Sequence, residues 1–207
     1  MYPRSTEKDD QRLLNQQATI ETWIQGGCPP SKLVLGLGAY GRTFRLKQKK
    51  KPDIKPYAPA KGAGLPGNYT GTRGFLSYYE ICHLIKNHKW QTNYDDEQQV
   101  PFAYKDDQWV GYDNQISIEK KCYYLVKQRL AGAMIWSLDL DDFLGRFCGQ
   151  GKYPLVTSVK KTLEKFRKLE ALPKILRNDA RARKDFPRLC LFVLLLLLFL
   201  NRISISL

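Results

Sequence analysis

KLVLGLGAYGRTF, residues 32–44, and GAMIWSLDLDD, residues 132–142, decide the fold. Each carries a short unbroken apolar run, closed by glycine, proline or aspartate. Runs of this length without polar alternation read as strands covered on both faces, the pattern of a parallel sheet in an α/β protein rather than of a solvated antiparallel edge.

Working outward, Asn15–Gly26 places Ala18, Ile20, Trp23 and Ile24 at helical spacing before Gly26-Gly27 and Pro29-Pro30 stop the helix. Residues 47–74 are rich in Lys, Pro and Gly and predict a long loop or the entry to an inserted subdomain. Gly74–His88 reads as a helix with Tyr78, Ile81, Cys82 and Ile85 on one side. Val100–Asp113 reads as a hairpin turning at Lys105–Gln108. Ser117 is placed to cap a helix running to about Leu130. Leu155, Val159, Leu163 and Phe166 predict a last helix over Thr157–Leu169. The order is α, buried β, α+β insertion, α, buried β, α, which indicates a parallel sheet flanked by helices.

In such sheets ligands gather beyond the C-terminal ends of the strands, where the loops converge. Tyr40 and Arg42 follow the first strand, and Trp136, Asp139, Asp141 and Asp142 close the second. An indole floor with a phenol and a guanidinium at its rim suits a sugar ring, whose C–H face stacks while its hydroxyls need hydrogen bonds. The same spacing fits a core Trp and a surface Arg. The DLDD run invites a carboxylate-pair reading, since glycosidases set two carboxyls across the scissile bond. Asp also caps helices and satisfies loop amides, and that structural reading is the stronger. His83 and His88 have no Ser or Cys partner for nucleophilic catalysis.

With 207 residues, 43% hydrophobic and 26% charged, the chain is neither collagen-like nor low-complexity nor wholly disordered. A closed eight-stranded α/β barrel typically takes about 250 residues, so the length is short for one. The net charge of +14 is concentrated. Residues 46–55 hold five lysines against one aspartate, and residues 160–188 hold eleven Lys/Arg against four Asp/Glu. A nucleic-acid surface over the whole protein is therefore disfavoured, and neither stretch carries a reading motif. The five cysteines include no Cys-x-x-Cys pair and there are only two histidines, so no metal site and no cofactor are expected. Asn68-Tyr69-Thr70 is a glycosylation acceptor if the chain is secreted. No signal peptide is visible at the start. Leu189–Leu200 is an apolar run of 12 residues. As a helix it reaches roughly 18 Å against about 30 Å of bilayer hydrocarbon, so membrane association through it is the lesser reading.

Lys32–Phe44, Gly74–Cys82 (GFLSYYEIC), Val100–Asn114 (VPFAYKDDQWVGYDN) and Gly132–Leu155 (GAMIWSLDLDDFLGRFCGQGKYPL) together resemble the last quarter or so of animal family 18 glycoside hydrolases, the chitinases and chitinase-like lectins. The resemblance covers residues 2–168; residues 171–207 match nothing in it. It implies an incomplete TIM (β/α)8 barrel, with LVLGLG as the seventh strand and AMIWSL as the eighth. Residues 1–44 and 116–170 are then barrel segments, 45–115 an inserted α+β chitinase insertion domain, and 171–207 a basic and apolar tail. Trp136 becomes the stacking floor, Tyr40 and Arg42 wall and donor, and Met134 an apolar neighbour. Cys82 and Cys148 resemble the family's disulfide pair, leaving Cys28, Cys122 and Cys190 free.

Departures are visible at Gly38, where the family commonly has Pro, at Thr72, where it has an acidic cleft residue, and at Phe75, where several relatives carry Met. The family cleaves chitin with retention, the substrate's acetamido carbonyl attacking the anomeric carbon while a Glu of a DxxDxDxE run protonates the leaving oxygen. No such run occurs in the 207 residues, so no general acid can be named and hydrolysis is not expected of this chain alone. The resemblance thus implies chitin or chitooligosaccharide as partner and an extracellular location. The alternatives are a non-catalytic chitinase-like lectin and a membrane-associated interaction protein, its basic 160–188 stretch against anionic lipid.

Overall fold

In the computed structural model, residues 1–47 and 56–171 are described. Most of the Lys-rich stretch, the run Leu189–Leu200 and Cys190 lie outside them. Residues 1–164 form one compact unit; residues 165–207 group separately, and of these only the last turns of a helix are described.

The first helix, α1 (Gln16–Gln25), starts where the Asn15 side chain accepts from the Ala18 amide, and ends at Gly26 and Gly27, the latter at φ +93°. It leads to β1 (Val34–Gly38), which runs parallel to β8 (Gly132–Trp136) in a two-stranded sheet. The chain then turns at Ala39 into β2 (Tyr40–Leu46), the hub of an antiparallel sheet. That sheet adds β3 (Ala60–Ala63), β4 (Phe75–Ser77), β5 (Gln91–Asp95), β6 (Val100–Lys105) and β7 (Gln108–Gly111). Its order is β3-β2-β7-β6-β5, with β4 also paired to β2.

Two capping boxes set the remaining helices. At α2 (Tyr78–His88), Ser77 and Glu80 exchange side-chain and backbone hydrogen bonds; at α3 (Gln115–Lys127), Asn114 and Ser117 do the same. Ser117 is therefore the third residue of its helix rather than the cap the sequence suggests, because Asn114 has the extended backbone a cap needs. The last helix, α4 (Pro154–Ala171), starts with proline in its first turn, three residues before the sequence-based boundary.

Leu35 and Leu37 of β1, Ala39, Tyr78, Ile118, Cys122, Leu125 and Leu155 form the main core. Leu76, Ile81, Ala103 and Val110 form a second beneath the antiparallel sheet. The expectation that β1 and β8 are covered on both faces is corrected. Along β1 exposure alternates, Val34 being 56% exposed while Leu35 and Leu37 are buried. Met134 and Trp136 of β8 are 47% and 65% exposed. Among the described residues no further strand or helix covers that face, so an apolar run fit for a two-sided burial is buried on one side only. The sequence pattern also does not show β5, a polar strand (QTNYD), or the short β4, which occupies the first residues of the helix read from Gly74.

Candidate functional site

The exposed face of β1 and β8 is built from register. Gly36 stands beside Met134 and Gly38 beside Trp136, so the smallest residues flank the two largest. With no side chains at 36 and 38, Trp136 stands as a bare platform at the end of β8. The Ala39 amide donates to the Trp136 carbonyl at 2.9 Å, tying the platform's backbone to the turn into β2. The Trp136–Ser137 peptide is cis.

Beyond that turn, side chains of β2 alternate: Gly41 and Thr43 are buried, whereas Tyr40 and Arg42 face outward. Pairing with β4 sets Arg42 opposite Phe75 and Tyr40 opposite Ser77. The Tyr40 and Phe75 rings stack with centroids 5.0 Å apart at 29°. The Arg42 guanidinium carbon sits 5.4 Å from the Tyr40 centroid and 5.6 Å from that of Phe75. Among the described residues Arg42 has no ion-pair partner, so its donors remain for a ligand. The Tyr40 ring also lies against the end of β1, since a Cβ on Gly38 would be 3.1 Å from it. Of the sequence-predicted residues, Tyr40 and Arg42 thus form one outward wall, and Met134 and Trp136 share one outward face. Phe75, the third member of the wall, is marked in the sequence only as a departure from the family and not as a site residue. Its signal was the alternation of Phe75 outward and Leu76 inward immediately before a capping Ser.

The aspartates after β8 are structural. Asp141 Oδ2 accepts from the Leu155 and Val156 amides at the start of α4. Asp142 accepts from the amides of Arg146, Phe147 and Cys148. Both are buried, and burial pushes the Asp141 carboxyl up from its ordinary value against the pull of its amide donors. Asp139 is exposed in a 3-10 turn, so the DLDD run does not present a converging carboxylate pair.

A second carboxylate holds the loop beside the wall. Glu80 accepts from the amides of Tyr69, Thr70 and Ser77 and from the hydroxyls of Thr70 and Ser77. Burial alone would raise its pKa, yet these donors leave it below the ordinary value. Asn68 is exposed in the turn this loop makes. Cys82 and Cys148 form a disulfide with Cα atoms 5.0 Å apart, joining α2 to the loop organised by Asp142. Cys28 and Cys122 are free, and burial lifts the Cys122 thiol to about 11. Among the described residues no group of three or more His, Cys, Asp or Glu could hold a metal.

The family model described as glycosyl hydrolases family 18 matches residues 3–141. Mouse chitotriosidase-1 is 42% identical over 163 residues, covering 79% of this chain and 34% of the relative. Human chitinase-3-like protein 2 is 46% identical over 149 residues, 72% of this chain and 37% of the relative. The chain thus spans about a third of the length of these curated relatives. Among solved structures it is similar to human YKL-39, described as a pseudo-chitinase with retained chitooligosaccharide binding properties. There the TM-score is 0.75 at 40% identity, over 79% of this chain and 43% of the other. A group IV chitinase of Ostrinia furnacalis in complex with allosamidin gives a TM-score of 0.74 at 36% identity, over 80% of this chain and 44% of the other.

Proposed function

Because the chain belongs to glycosyl hydrolases family 18, we propose that it supplies the floor and one wall of a cleft for oligomers of β-1,4-linked N-acetylglucosamine. Trp136 stacks beneath one ring, Met134 extends the apolar floor, and the Tyr40–Phe75–Arg42 stack gives a side wall with a guanidinium donor. The observation that carries this reading is the 65% exposure of Trp136 at a strand end. A large indole left open on the strand-end face costs hydration free energy unless a flat apolar partner covers it. The chitooligosaccharide binding described for YKL-39, whose fold matches over 79% of this chain, supports the ligand class.

The assigned role is binding rather than bond cleavage. The residues that follow β8 offer no free carboxyl pair, Asp141 and Asp142 being spent on backbone amides. The DxxDxDxE run from which the family draws its acid occurs nowhere in the 207 residues. Residues 45–115, which hold most of the antiparallel sheet and α2, are the insertion domain in this reading. A secreted protein is the setting that fits the Cys82–Cys148 disulfide and the exposed Asn68 acceptor. Among the described residues no helix is long and apolar enough to cross a membrane.

Calorimetric titration with chitotetraose tests the proposal. Trp136→Ala should lower affinity at least about tenfold, and equal affinity in the two proteins overturns the reading.

A further inference from the structure

We propose that the cleft wall assigned above continues along β2 to Phe44, whose ring receives a further N-acetylglucosamine unit of the same oligomer and makes affinity depend on chain length. This extension rests on the cleft reading and adds to it a preference for longer chains.

Three outward side chains follow one another on β2. Tyr40, Arg42 and Phe44 stand at alternate positions, and Gly41 and Thr43 between them are buried. A strand rises about 3.3 Å per residue, so Phe44 lies roughly 13 Å beyond Tyr40 on the same face. One pyranose ring cannot cover that span, and an oligomer can. Phe44 is 43% exposed, an open ring in line with the guanidinium of Arg42.

Register sets the surroundings of that ring. In β7, Gly111 stands opposite Arg42 and Trp109 opposite Phe44. The Trp109 indole reaches over Gly111, where a Cβ would lie 2.8 Å from it. It therefore lies alongside the stretch from Arg42 to Phe44. On the other side of β2, Phe44 pairs with exposed Ala63 of β3, whose methyl group is too short to cover the ring.

Phe44 is also held in place before any ligand arrives. Its centroid is 6.0 Å from that of Trp109, which stacks on Phe102 at 5.7 Å and 24°; Phe102 in turn stacks on Tyr104 at 6.4 Å. Phe102 and Tyr104 are 6% and 8% exposed, so the row of rings is anchored across β7 and β6 and Phe44 is its open end. A ring already fixed loses little conformational freedom when a ligand covers it. An exposed flat ring suits the apolar C–H face of a pyranose. The occupant is a unit of the oligomer seated in the cleft, because Phe44 shares its strand and its face with the wall that borders that oligomer.

The test compares chitotetraose with chitohexaose by calorimetric titration of the 207-residue protein and its variants. The parent should bind the hexaose about tenfold more tightly than the tetraose. Phe44→Ala should abolish that preference. Phe44→Leu, which keeps apolar volume against Trp109 but not the flat ring, should remove most of it, so the test survives if the alanine variant folds poorly. A parent that binds the two oligomers equally, or a preference unchanged in both variants, overturns the extension. Failure of the cleft reading shows separately, as equal tetraose affinity in the parent and in Trp136→Ala.

Discussion

The Arg42 guanidinium lies over two stacked rings at once, 5.4 Å from the centre of Tyr40 and 5.6 Å from that of Phe75. Stacking on both rings fixes the plane of the fork, so its N–H groups are aimed before a ligand arrives. Arg42→Ala should weaken chitotetraose binding about tenfold, and Arg42→Lys should recover only part of the loss, since an ammonium keeps the charge but not the plane. Titration of the three proteins under identical salt measures this.

Trp136 should matter to binding and hardly at all to folding. At 65% exposure it contributes little to either core, so Trp136→Ala should change unfolding free energy by less than about 1 kcal/mol. Urea denaturation checks it; a larger loss means the indole is a packing residue.

The disulfide fastens the helix that follows β4 to the loop that follows β8. Replacing both Cys82 and Cys148 by serine should cost about 2–5 kcal/mol. Dithiothreitol should lower the melting temperature of the parent protein to that of the double variant and leave the variant itself unchanged.

Glu80 predicts an acid limit. Its pKa is lowered in the folded chain, so its contribution is complete above the unfolded value of 4.5 and is lost as pH falls through the lower folded value. Unfolding free energy measured by denaturant should therefore decline below pH 4.5, and Glu80→Gln should be less stable at neutral pH with a shallower decline. A variant that keeps the parent's full acid slope contradicts the assignment.

Asp142 is a backbone organiser. Asp142→Ala leaves the amides of Arg146, Phe147 and Cys148 without their acceptor and should cost about 2–4 kcal/mol. Asp139→Ala, at an exposed position, should cost less than about 0.5 kcal/mol. Parallel denaturation curves separate the two aspartates.

The parts of the fold that announce themselves in the sequence are those in which one local signal suffices. Gly26-Gly27 and Pro29-Pro30 stop α1, and the Asp106-Asp107 pair turns the β6–β7 hairpin. The strand β5 escaped because QTNYD is mostly exposed and lacks apolar alternation; pairing with β6 makes it a strand, and pairing partners are not written locally. Tyr40, Arg42 and Trp136 stand out in the sequence because they lie at or just beyond strand ends, where loops converge, whereas Met134, in the middle of β8, is singled out only by the family resemblance. Phe75 stands out in the sequence only as a departure from the family; its outward turn is written in the alternation with Leu76, but its place beside Arg42 comes from the β2–β4 register. The exposure of Val34 was equally hidden: composition shows that a strand tolerates two-sided cover, and only the neighbouring elements decide whether it receives it.

The five-residue ladder between β1 and β8 has one further implication. Side chains alternate strictly along a strand, so a slip of one position would carry Trp136 and Met134 inward. Such a slip is opposed by Ala133 and Ile135 of β8, which pack on the main core beside their partners Leu35 and Leu37 of β1. The orientation of the indole is thus decided on the far side of the sheet, by the grip of the interior on the alternate residues of its own strand.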